Sequence, residues 1–205
     1  MRTFVPDLDD DELDYRLENH SYCPNGDGES GGTPFFTITI TLCQIAYFVW
    51  MYLFKYPEKV DVRSPWHPQF NNDLFIFTGS EAVQKKEYWR FFTYCFVHGG
   101  LSHLVGNMCY QILIGIPLEY VHGSIRVGLL YSVGVVIGSL TSLVVTPKTF
   151  LVGASGGDFC LMSAVLANCI LNCDSMHKGI ASVRFFTMAG AIGYEAYSAV
   201  KRFNS

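Results

Sequence analysis

Long apolar runs alternate with polar connections from residue 34 onwards. The first run, Phe35 to Phe54, carries no charge and lies between Pro34 and Lys55. At ~1.5 Å per residue it spans the ~30 Å hydrocarbon core of a bilayer. Tyr47, Trp50 and Tyr52, towards its end, suit an interfacial aromatic belt. Leu101 to Val121 predicts a second span, and Ile125 to Val145 a third that Pro147 and Lys148 close. Ser155 to about Leu171 predicts a fourth, with Gly156, Cys160, Ala164 and Asn168 four apart along one face. Val183 to Val200 is a fifth and weaker one, and it contains Glu195. Gly134, Gly138 and Ser142 form a small-residue stripe on the third, suited to close helix contact. The pattern predicts an all-α polytopic membrane bundle of about five helices, without an internal repeat.

The polar stretches divide the chain. Residues 1–33 hold the acidic run Asp7-Leu8-Asp9-Asp10-Asp11-Glu12 and a stretch rich in Gly, Asp, Asn and Ser, which predicts a flexible tail before a membrane domain at 34–205. The ligand spacing of a calcium loop is absent from it, and so is the apolar run of a signal peptide. Residues 55 to about 97 are the longest connection. Pro57, Pro65 and Pro68 and many aromatics precede Glu87-Tyr88-Trp89-Arg90. This composition predicts a compact element, the first loop, lying in the membrane interface, with Trp89-Arg90 read as an interfacial anchor whose base snorkels to water.

Composition sharpens the class. Half of the 205 residues are hydrophobic, only 16% are charged, and mean hydropathy is +0.24. Soluble domains carry ~25% charged residues. The class is therefore a polytopic membrane protein. The net charge of -4 says little about partners, because fields around a membrane protein are local. Seven cysteines include no C-x-x-C pair, so buried free thiols are expected and no zinc site is. A transporter or channel would show a repeat or a line of charges through the spans, and neither is present.

The chemistry concentrates at Leu151-Val152-Gly153-Ala154-Ser155-Gly156-Gly157-Asp158-Phe159-Cys160. Ser155 stands among small residues where the fourth helix begins. Two readings follow: a Gly/Ser hinge before a packed helix, or a nucleophile beside the unpaired N–H groups of a helix start. Upstream, His103 and Asn107 are four residues apart and share a helix face, ~6 Å from each other. They either bond neighbouring helices or donate to a developing oxyanion. Gln111 continues that face and should bond another helix. Asp158 is a carboxylate within a span, which costs on the order of 2.5–3.5 kcal/mol unless water and the helix start relieve it.

His98-Gly99-Gly100-Leu101-Ser102-His103-Leu104-Val105-Gly106-Asn107, Gly115-Ile116-Pro117-Leu118-Glu119, Gly153-Ala154-Ser155-Gly156 and Trp89-Arg90 together resemble the rhomboid family of intramembrane serine proteases, nearest the animal secretory-pathway type. The resemblance covers roughly residues 35 to 200. It implies Ser155 as nucleophile, with His103, Asn107 and the Ser155 N–H as oxyanion donors. It further implies supporting roles for Gly153, Gly156 and His98, and for Trp89, Arg90 and Glu119 around the first loop. Phe159 replaces a frequent tyrosine and keeps the face that stacks on the catalytic histidine. Substrates would be single-span membrane proteins in the bilayer, with no cofactor and no nucleic acid. The implied setting is a multi-pass protein of the secretory pathway or plasma membrane rather than the mitochondrion. Family analogy puts the N-terminus in the cytoplasm, although Lys and Arg are distributed against the positive-inside rule for that orientation. The family's general base is a histidine on a sixth span. The histidines here are His20, His67, His98, His103, His122 and His177, and none follows the fifth span. The expectation is therefore that the base lies on a sixth helix outside these 205 residues, which alone would be inactive. The alternative is an inactive relative that binds client helices without cutting them.

Overall fold

The computed structural model describes residues 33–55, 75–171, 188–190 and 193. Helix α1 is Phe35–Trp50, continued by a π-helical turn, Met51–Lys55. The first loop then holds strand β1 (Phe77–Thr78), helix α2 (Gly79–Gln84), helix α3 (Arg90–Thr93) and a 3-10 turn at Tyr94–Phe96. Helices α4 (Leu101–Tyr110) and α5 (Ile116–His122) form one rod of 22 residues through a π-helical segment, Gln111–Gly115. That segment stands just before Pro117, whose missing N–H interrupts the regular ladder. Gly123, at φ +81°, turns the chain into α6 (Ser124–Val145). Strand β2 (Phe150–Leu151) precedes α7 (Ser155–Leu171).

Phe35–Phe54, Leu101–His122 and Ser124–Val145 are long and apolar enough to cross a membrane. Helix α7 is shorter, 17 residues or about 26 Å. The four spans read from the hydropathy pattern therefore begin within one residue of where the helices do. The fifth, the acidic tail and the proline-rich part of the first loop lie largely outside the described residues. Apolar side chains point outwards: Leu113, Ile125 and Val144 are 73%, 80% and 81% exposed. Polar ones point inwards: Gln44, Gln111, Glu119 and Ser139 are buried. Only a hydrocarbon surround makes that distribution stable. The chain is a multi-pass membrane protein, a helical bundle.

Three kinds of contact hold the bundle. Helices α6 and α7 approach through glycine. A Cβ on Gly134 would collide with the Cβ of Cys160 and lie 2.6 Å from the Gly156 carbonyl oxygen, and Gly157 lies directly against the Tyr131 ring. Buried amides form the second kind. Gln111 Nε2 donates to Thr41 Oγ1 (2.6 Å) and Gln44 Oε1 (3.1 Å). Gln44 Nε2 in turn donates to Tyr131 Oη (2.9 Å) and the Cys95 carbonyl (3.2 Å). The expected role of Gln111 as a bond to another helix is thus met by α1.

The third contact corrects an expectation. Glu119 was expected to support the first loop. Instead its fully buried carboxylate accepts the Phe36 N–H (2.7 Å) and the Thr37 N–H (2.8 Å). Pro34 supplies α1 with no side-chain cap, so the unpaired donors of its first turn take an acceptor from the end of the second span. Loop and carboxylate stand at opposite ends of the bundle, because α1 runs from Glu119 towards the loop.

Each of those bonds is charge-assisted and worth ~1.5–3 kcal/mol. Glu119→Ala should therefore lower the unfolding temperature in detergent sharply, and Glu119→Gln, which keeps one acceptor oxygen, by less. Equal melting of Glu119→Ala and the parent would show that α1 starts without this cap.

Candidate active site

The stretch leading to Ser155 is set by the first loop. Ser80 N–H donates to the Pro147 carbonyl (2.8 Å). Strand β1 pairs antiparallel with β2, Phe77 opposite Leu151 and Thr78 opposite Phe150. Gly153 N–H then donates to the Tyr94 carbonyl (3.2 Å). Gly153 has φ +103°, a conformation that L side chains avoid. Helix α7 starts two residues later, its first bond running from Asp158 N–H to the Ala154 carbonyl (3.1 Å). Half-buried Ser155 is the first residue of the helix, where N–H groups have no intrahelical acceptor.

Helix α4 brings His103 and Asn107 to the same place. A Cβ on Gly153 would lie 2.7 Å from His103 Nε2 and 3.6 Å from Asn107 Nδ2. Asn107 is buried, and its Nδ2 donates to the His103 carbonyl (2.8 Å). His103 Nδ1 accepts the Gly99 N–H (3.4 Å). The neutral ring therefore carries its proton on Nε2, the atom turned towards Gly153. Two side-chain N–H donors thus meet at Gly153, two residues before the start of α7.

His98 packs behind His103, ring centroids 5.5 Å apart and edge-on, with Nδ1 3.4 Å from the Phe96 carbonyl. Burial, and then the His103 ring, pull its pKa from the usual 6.5 down to about 3. It stays neutral at physiological pH and buttresses the other ring.

Trp89 is 49% exposed, as an interfacial anchor requires. Arg90 is buried and does not snorkel. Its Nη1 donates to the Ile76 carbonyl (2.6 Å) and its Nε pairs with Glu87 (2.7 Å), which fixes the residue before β1. Phe159 is half-buried against the central apolar cluster. Gly156 lies against Gly134 of α6. Asp158 departs from its expected relief by water: it is 4% exposed, and neither carboxylate oxygen has a hydrogen-bond partner among the described residues.

Sequence reasoning passed over Tyr94. It is buried, its hydroxyl donates to the Val135 carbonyl (2.7 Å), and burial holds its pKa well above the ordinary value. Next to it, burial pushes the Cys95 thiol up to about 12. Nothing in the residue pattern separated Tyr94 from the other aromatics of the loop. His122, at the far end of the rod, is about 28 Å along the helix from His103. A cavity of about 240 Å³ opens at that end between Leu118, His122, Val165 and Asn168, away from Ser155.

Residues 85–200 match the rhomboid domain. The chain is 38% identical over 168 residues to "Rhomboid-related protein 2" of Mus musculus, covering 80% of this chain and 54% of the relative. It is 38% identical over 167 residues to "Rhomboid-related protein 3" of Homo sapiens, covering 80% and 38%. A third relative, "Inactive rhomboid-related protein 2" of Caenorhabditis elegans, is 30% identical over 165 residues, covering 78% and 44%. The chain spans about half or less of the length of these relatives.

Two predictions follow from the buried groups. A histidine whose folded pKa lies below 6.5 leaves the unfolded chain to take up the proton first. The contribution of His98 is therefore complete above pH 6.5 and lost as pH falls towards 3, at no more than about 1.4 kcal/mol per pH unit. Unfolding in detergent across that window should slope less steeply in His98→Asn than in the parent; parallel slopes would rule out His98 as the titrating group. The second concerns Asp158, whose carboxyl is buried without a partner among the described residues. Asp158→Val should raise stability by ~1–3 kcal/mol. A loss of stability on that substitution would mean the carboxyl has a partner in the membrane.

Proposed function

The chain belongs to the rhomboid family, and on that premise we propose that it is an intramembrane serine protease acting on single-span membrane proteins. The observation that carries this reading is the meeting of the His103 Nε2 and Asn107 Nδ2 donors with Gly153, two residues before Ser155 at the start of α7. In the proposed reaction Ser155 Oγ attacks the carbonyl carbon of a substrate peptide bond and gives its proton to a general base. The oxyanion of the tetrahedral intermediate takes hydrogen bonds from His103, Asn107 and the Ser155 N–H. The C–N bond then breaks, the amine leaves with the proton, and water hydrolyses the acyl-serine. No cofactor is required.

The base is proposed to be a histidine outside the 205 residues, on a further helix, as the family resemblance implies. The described histidines support this by their placement. His103 points its N–H at Gly153, His98 is buried behind it, and His122 lies at the other end of the rod. The proposed setting is a membrane of the secretory pathway or the cell surface.

A second reading has its own observation. Asp158, buried one turn from Ser155 without a partner among the described residues, is a poor neighbour for a developing oxyanion if it ionises. An inactive rhomboid that binds client helices would tolerate it, and a relative at 30% identity is named inactive.

Co-expression of the full-length protein with a single-span reporter separates the two. A protease cleaves the reporter; Ser155→Ala abolishes cleavage, and Asn107→Ala lowers turnover by ~10²–10³ at unchanged abundance in the membrane. An intact reporter that co-purifies with the protein would favour the binding reading instead.

A further inference from the structure

We infer that Tyr94 is a positioning residue for Ser155, holding the chain on both sides of it. The inference rests on the reading of Ser155 as the reacting residue. On the N-terminal side, the Tyr94 carbonyl accepts the Gly153 N–H (3.2 Å), the backbone bond that ends the path from β2. On the C-terminal side, the Tyr94 hydroxyl is wedged between α6 and α7. It donates to the Val135 carbonyl (2.7 Å). A Cβ on Gly138 would lie 2.8 Å from that hydroxyl oxygen, and one on Gly156 would lie 2.7 Å from it. The hydroxyl therefore occupies a cleft that exists because residues 138 and 156 are both glycine.

These contacts act on the geometry the chemistry needs. Residue 155 lies between the two held points, and its N–H must aim at the same small volume as His103 Nε2 and Asn107 Nδ2. A ring buried to 1% exposure, packed on Phe77 of β1 at 6.2 Å between centroids, cannot follow a shifting helix start. Tyr94 couples the first loop, the third span and the first turn of α7 into one body. In the proposed mechanism it takes no part in the bond changes, so its effect is on where Ser155 sits.

Tyr94→Phe keeps the ring and removes the hydroxyl. In the full-length protein it should lower kcat for a single-span reporter about tenfold and leave KM within about twofold. The unfolding temperature should stay within about two degrees. Backbone amide exchange over residues 150–157 should speed up at least tenfold, with exchange in α1 unchanged. Unchanged kcat and unchanged local exchange would overturn the inference. So would a general loss of stability with exchange rising evenly over the bundle, the mark of a merely structural tyrosine. If the parent protein shows no turnover, the protease reading fails on its own. The exchange measurement then decides the positioning claim: a rise confined to 150–157 supports it, and no rise refutes it.

Discussion

The structure depends on how closely α6 and α7 approach. In a bilayer, apolar surface gains nothing by leaving lipid for another helix, so association rests on van der Waals contact and hydrogen bonding. Gly134 set against Cys160 and Gly156, and Gly157 beneath Tyr131, give a contact that no side chain could enter. That contact seats α7 on α6, and the second span and the first loop also meet α7. The Gln44–Gln111–Tyr131 bonds and the Glu119 cap on α1 then fix the outer helices in lipid, where a lost hydrogen bond has no water to replace it.

The site follows from the same arrangement. A helix start buried in protein can leave its first N–H groups open, provided something holds the chain entering it. Here a two-residue antiparallel ladder, the Ser80–Pro147 bond and the Tyr94–Gly153 bond do so. Arg90 secures the far side of the ladder through the Ile76 carbonyl. The described part of the first loop is thus a brace for residues 147–153. Asp158 is the exception to this economy: it sits near Cys95 and Tyr131, in the body of the bundle, with no donor for either oxygen among the described residues. The physical chemistry explains its cost and offers no benefit for it.

Much of this was legible in the chain. Charges and prolines mark the ends of the spans, because hydrocarbon tolerates neither a free charge nor a free backbone group. His103, Asn107 and Gln111 fall on one face by helical period alone, and the Gly134–Gly138 stripe identifies the face of α6 that meets α7. What failed to show was contact at long range. Glu119 looks like an interfacial carboxylate from its neighbours, and its partners are 82 and 83 residues away. Arg90 beside Trp89 fits a snorkelling pair until its buried acceptor is seen. Tyr94 is one aromatic among many in its loop, and its importance arises from a cleft between two glycines on different helices. Residue pattern encodes which face is buried; it does not encode which distant backbone atom waits there.

The central claim is that Ser155 is a nucleophile served by donors from α4. Incubating the full-length protein in native membranes with a fluorophosphonate, and mapping the adduct by peptide mass, tests it directly. The account predicts a phosphonyl group on Ser155, with slower labelling when His103 or Asn107 is replaced and no label in Ser155→Ala. Folded protein that remains unlabelled at Ser155, or labels at the same rate without those two side chains, would contradict it.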